Sequence, residues 1–87
     1  MENAPVVSIA GVNISPISAT AADAIRFRFN PSGLDTVGRI KALTGSLITM
    51  FEELRVANPA AARELSVAIT ETQTASMWGV LGATKGL

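Results

Sequence analysis

Residues 25–33 read IRFRFNPSG and put two of the chain's seven basic side chains within three positions, threaded through two of its three phenylalanines. Such a segment can hold an anion. The guanidinium groups of Arg26 and Arg28 can form charge-assisted hydrogen bonds with phosphate oxygens, while Phe27 or Phe29 stacks on a base or ribose. Asn30 beside them carries both a donor and an acceptor and could read a base edge. The bland alternative is a pair of solvated charges that guard the edge of a sheet. Further along, Lys41 directly follows an apolar position and reads as the solvated flank of a helix. Arg63 falls in the first turn or so of a later helix, where the macrodipole disfavours a cation. A cation there suits either a bound anion or a carboxylate such as Glu64 or Glu53, and Trp78 reads first as a packing residue.

Composition limits what these groups can do. The chain has 87 residues, a formal net charge of zero and no cysteine or histidine. Disulfides, thiolate metal sites and imidazole general bases are thereby excluded. No serine stands in a nucleophile elbow, and the adjacent Glu52 and Glu53 diverge on a helix. A nuclease or phosphodiesterase would need Asp23, Asp35, Glu64 and Glu71 to converge on a metal, so catalysis is disfavoured and no cofactor is implied. A pI near 6.1 argues against a nucleic-acid polymer, whose binding wants a basic stripe. The acidic start MENAPVV does not read as a signal peptide, and the uncharged stretch 3–22 holds Pro5, Pro16 and Asn13, so no membrane span is expected. A cytosolic protein follows, with hydrophobic residues at 48% that must be hidden in another way.

The elements that must position the candidate groups divide at NPSG. Residues 5–14 are rich in β-branched side chains interrupted by Gly11, which suits a short strand or a small hairpin. Residues 18–24 suit one helical turn capped by Ser18 or Thr20. IRFRF reads as a second strand, with Ile25, Phe27 and Phe29 on one side and Arg26, Arg28 and Asn30 on the other. NPSG then makes a turn in which Ser32 or Asp35 caps the next helix. From Leu34 to about Ala57, Val37, Ile40, Thr44, Leu47, Phe51 and Leu54 form one amphipathic stripe, widened by Leu43 and Met50. Asn58-Pro59 starts a second helix at once, which ends near Gly86 and folds back antiparallel. Hydroxyls stand along that helix where leucines would be ordinary, at Ser66, Thr70, Thr72 and Ser76. These permit close helix approach or a ligand. The expected architecture is mainly α: residues 34–87 form an antiparallel two-helix hairpin for oligomerisation and ligand binding, and residues 1–33 form a short N-terminal β and loop segment. Met77, Trp78, Val80 and Leu81, left over by a single seam, predict a homo-oligomer.

The segments RFRFNPSG, VGRIKALTGSLITMFEEL and ARELSVAITETQTASMWGVLGATKG resemble the helical hairpin of small phage anti-defence sponges, the second anti-CBASS protein and the first Thoeris anti-defence protein. The most specific part is the order Arg63, Ser66, Ala68, Thr70, Met77, Trp78. The resemblance implies a non-enzymatic protein, in the cytoplasm of the infected bacterial host, that sequesters cyclic immune signals. It implies hexamers with one pocket between paired subunits for cyclic dinucleotides or cyclic ADP-ribose isomers, and another near a three-fold axis for cyclic trinucleotides. By position, Phe27, Phe29, Asn30 and Lys41 would serve the first pocket, and Arg63, Ser66 and Thr70 the second. Relatives carry a tyrosine in the aromatic segment, whereas this chain has none, so its phenylalanines could stack but not donate a hydrogen bond. The rival expectation is a structural or adaptor protein whose hairpin binds only protein.

Overall fold

The computed structural model describes residues 7–9, 12–14 and 16–87. Two short strands, β1 (Val7–Ile9) and β2 (Val12–Ile14), pair antiparallel with Val7 opposite Ile14 and Ile9 opposite Val12. The expected bend at Gly11 lies outside the described residues. Three helices follow: α1 (Ala19–Ala24), α2 (Asp35–Ala57) and α3 (Ala62–Ala83).

Helix α1 starts as its sequence dictates, with the Ser18 hydroxyl accepting the Ala21 N–H at 3.0 Å. The same serine ties α1 to α2: its N–H donates to Thr49 Oγ1 at 2.9 Å, and its hydroxyl donates to Glu52 Oε1 at 2.6 Å. Thr20 reaches the other carboxylate oxygen at 2.7 Å. Behind this clasp Ile17, Ala21 and Ile25 meet Ile48 in the core, with Ala22, Phe27 and Ile69 packed against them. Gly45 makes that approach possible. A Cβ there would sit 2.9 Å from Ile25 Cδ1 and 3.1 Å from Ile17 Cδ1.

The IRFRF segment is not a strand. It closes α1, with Arg26 at a φ of 51°, its N–H on the Asp23 carbonyl at 3.2 Å and the Phe27 N–H on the Ala22 carbonyl at 2.9 Å. This pair of bonds is the helix-ending motif that normally places glycine in the left-handed position, and Phe27 and Ala22, at the motif's usual apolar positions, both pack against the core. The expected alternation therefore fails: Ile25 is buried and Phe27 joins the core, but Phe29 is 58% exposed. Local strand propensity loses here to a helix stop and core contacts, which need no partner strand. The NPSG turn forms as expected, closed by Gly33 N–H to Asn30 O at 3.1 Å, with Gly33 at a φ of 68°. Its capping role differs. Leu34 is the N-cap of α2 without a side-chain bond, and Ser32 accepts the Leu34 N–H at 3.2 Å.

Helices α2 and α3 form the expected hairpin. Arg55 donates to Ser66 at 3.0 Å, the Thr44 and Ser76 hydroxyls are bonded at 2.9 Å, and Ile40 packs at Gly79, so rising positions on one helix meet falling positions on the other. A 3-10 turn, Pro59–Ala61, intervenes before α3, which stops at Ala83 rather than near Gly86. Asn58 makes no side-chain cap. The larger correction concerns the face of α2. Lys41, Gly45, Ser46, Ile48 and Thr49 are buried with Val37, whereas Leu43, Leu47, Met50 and Leu54 of the expected stripe stay about two-fifths exposed or more. The period located an apolar face correctly, but α1 docks on the neighbouring small and polar face, where its backbone can come close.

Exchanging glycines on α2 should give opposite signs. Gly45→Ala forces Ile25 and Ile17 aside and should lower stability by roughly 1–3 kcal/mol. Gly38→Ala, with nothing within 4 Å of the new Cβ, should raise it by about 1 kcal/mol through helix propensity. Chemical denaturation of the two variants checks both.

Candidate ligand-binding site

A cleft of about 560 Å³ opens between the end of α1 and helix α3. That size suits a small-molecule ligand. Arg26 and Phe29 come from the turn after α1, Lys41 from α2, and Thr70, Gln73 and Thr74 from α3. Ile25, Met77 and Val80 supply apolar wall, Ser76 adds a hydroxyl, and Asp23 is the carboxylate of the lining.

Lys41 organises the site. Its side chain is 5% exposed, and its ammonium donates to the carbonyl oxygens of Arg26, at 2.7 Å, and of Phe29. An ammonium has three donors, so two are used in holding the turn. The expected solvated flank is thus a buried cation, because α1 and its turn cover the position. Burial holds the Lys41 pKa below its usual value, and the Arg26 charge pushes in the same direction. The Arg26 guanidinium lies 5.7 Å and the Lys41 ammonium 5.6 Å from the Phe29 ring centroid, within cation–π range. Two cations therefore flank one exposed aromatic face. An anion joined to a planar ring fits that chemistry.

The structure brings together Arg26, Phe29, Lys41 and Thr70. Other candidates lie elsewhere. Phe27 packs on the core, and Arg28 is exposed without lining the cleft. Asn30 donates to Leu34 O at 3.0 Å and accepts from Ser32 at 2.7 Å, which holds the turn. Arg63 is exposed at the start of α3, and Ser66 accepts from Arg55. The sequence reading of binding residues passed over Asp23, Gln73 and Thr74. For the α3 pair the signal was present, since Thr70, Gln73, Thr74 and Met77 share a helical face.

Among the described residues, no cluster of three or more carboxylates could hold a metal ion, and no helix is long and apolar enough to cross a membrane. The model of the Acb2/Tad1 hairpin domain matches residues 20–84. The chain belongs to that family, the anti-CBASS and anti-Thoeris sponges. No curated protein and no solved structure matches it.

Lys41 gives the fold a pH signature. Its lowered pKa means that, between that value and 10.5, the unfolded chain binds more protons, so this group's contribution to stability rises with pH across the window. The chain has no tyrosine, cysteine or histidine and one other lysine, Lys85, so few groups obscure the effect. Lys41→Met should flatten the alkaline rise measured by denaturation at stepped pH. It should also lower stability by roughly 1–3 kcal/mol, because two carbonyl groups lose their donor.

Proposed function

We propose that this protein is a phage-encoded sponge that binds cyclic oligonucleotide or cyclic ADP-ribose-type immune signals without cleaving them, and so blocks CBASS or Thoeris signalling in the host cytoplasm. The observation that carries this reading is the cleft itself, where Arg26 and Lys41 flank the Phe29 ring. Membership of the sponge family supports the same reading. Phosphate oxygens would meet the guanidinium and the remaining donor of Lys41, while a base or ribose lies on Phe29 and the α3 hydroxyls. Proton transfer plays no part in sequestration, which suits a chain without histidine.

In this reading residues 34–87 form the oligomerisation and ligand-binding unit, and residues 1–33 supply the turn that carries Arg26 and Phe29. The active form is a homo-oligomer, a hexamer by analogy with the family. Exposed Leu43, Leu47, Met50 and Leu54 on α2, at spacings of four, three and four, and exposed Met77, Trp78 and Leu81 on α3 support association. A two-fold interface would present the same cation and ring to both halves of a cyclic dinucleotide. Arg63, Ser66 and Thr70 would face a cyclic trinucleotide. Nanomolar binding needs about 12 kcal/mol. Charge-assisted bonds at roughly 1.5–3 kcal/mol and stacking at roughly 1–3 kcal/mol, each made twice, reach that range together with apolar contacts.

Incubation with a panel of cyclic dinucleotides, cyclic trinucleotides and cyclic ADP-ribose isomers, followed by heat release, should return intact ligand. Degraded product would mean an enzyme. A melting temperature unmoved by every member of the panel would favour the adaptor reading. Phe29→Ala should weaken binding about tenfold or more. Arg26→Gly should do likewise while raising the unliganded melting temperature, since glycine removes about 1 kcal/mol of left-handed strain.

A further inference from the structure

We propose that Asp23 selects guanine in the cleft; this rests on the cleft being a cyclic-nucleotide site. Asp23 is the acidic residue of a lining that otherwise presents cations, hydroxyls, an amide and apolar groups. Asp23 is itself exposed to solvent. It stands in the last turn of α1, where the macrodipole disfavours a carboxylate. Its backbone carbonyl accepts the Arg26 N–H, yet no hydrogen bond or ion pair within the described residues engages its side chain. The Arg26 guanidinium, three residues on, lies at the Phe29 ring instead.

An ionised carboxylate only accepts hydrogen bonds. Beside Arg26 and Lys41 it repels the phosphates that those cations attract, so it must face a part of the ligand that donates. Guanine presents N1–H and the N2 amino group side by side, a match for two carboxylate oxygens. Adenine and cytosine present one amino group next to a ring nitrogen that accepts, and uracil presents one N–H between two carbonyls. Each would turn a lone pair toward Asp23. The exposed Phe29 ring offers the stacking face that turns a base edge toward the wall. A guanine-containing cyclic nucleotide is therefore the ligand class that the wall favours.

The test is calorimetric titration of the full chain with cyclic di-GMP and with cyclic di-AMP, for the natural sequence, Asp23→Asn and Asp23→Ala. The natural chain should favour cyclic di-GMP by roughly tenfold or more. Asp23→Asn should move the preference toward cyclic di-AMP, because an amide both donates to and accepts from the adenine edge. Asp23→Ala should abolish the preference, and its melting temperature reports whether the fold is intact. Equal binding of both ligands by the natural chain overturns the inference. So does Asp23→Asn that strengthens both equally, which marks simple phosphate repulsion, or weakens both equally, which marks a ribose contact. A chain that binds neither these nor any other cyclic nucleotide overturns the sponge reading itself, an outcome distinct from a failure confined to Asp23.

Discussion

The ammonium of Lys41 is the point on which the site depends. A charge taken out of water usually finds a carboxylate, but this one is held by the carbonyl oxygens of Arg26 and Phe29. Carbonyl dipoles satisfy donors without cancelling the charge. The positive field therefore persists at the cleft, and the lowered pKa, caused first by burial and then by Arg26, is the mark of a cation left uncompensated. Because the two carbonyls belong to the turn that displays Arg26 and Phe29, one side chain both supplies charge and fixes the position of its partners.

The turn adds a second departure from greatest stability. Arg26 occupies the left-handed position that glycine would take at lower cost. A guanidinium at this place is carried directly off the helix end to the Phe29 ring, where a glycine would carry nothing. Strained backbone and a desolvated cation gather around one cleft. Elsewhere the α1 clasp through Ser18, Thr20 and Glu52 and the Thr44–Ser76 bond follow ordinary rules of polar satisfaction. Such unfavourable choices at one cleft are what the proposed binding function would require.

Much of the helical hairpin was legible. Asn58-Pro59 marked the break between α2 and α3, and the hydroxyl-bearing positions Thr72 and Ser76, read as allowing either close helix approach or a ligand, are buried on α3. The IRFRF segment was misread because alternating apolar and charged residues fit a strand as well as they fit the end of a helix, and a non-glycine residue at the left-handed position hides the stop signal. The burial of Lys41 was illegible for another reason. Periodicity finds an apolar face, but cannot say that a six-residue helix will dock on the polar face beside it. Arg26 and Phe29, expected on a strand, reach the cleft from a helix-ending turn, whereas Phe27, given the same role, went to the core because the helix-ending motif needs an apolar residue after Arg26.

Preorganisation explains why these costs belong in the folded state. In a free flexible loop, gathering two cations beside a ring would be charged against ligand affinity, since each immobilised side chain costs about 0.5–1.5 kcal/mol on binding. Here Lys41 has been desolvated and fixed by the packing of α1 before any ligand arrives. An anion entering the cleft then relieves repulsion between Lys41 and Arg26 instead of creating order. Stability is lower and affinity higher by the same device, which suits a protein whose proposed task is to hold a scarce messenger. It also makes association of the exposed α2 and α3 faces valuable, because subunit contacts would return stability without touching the cations that the cleft needs.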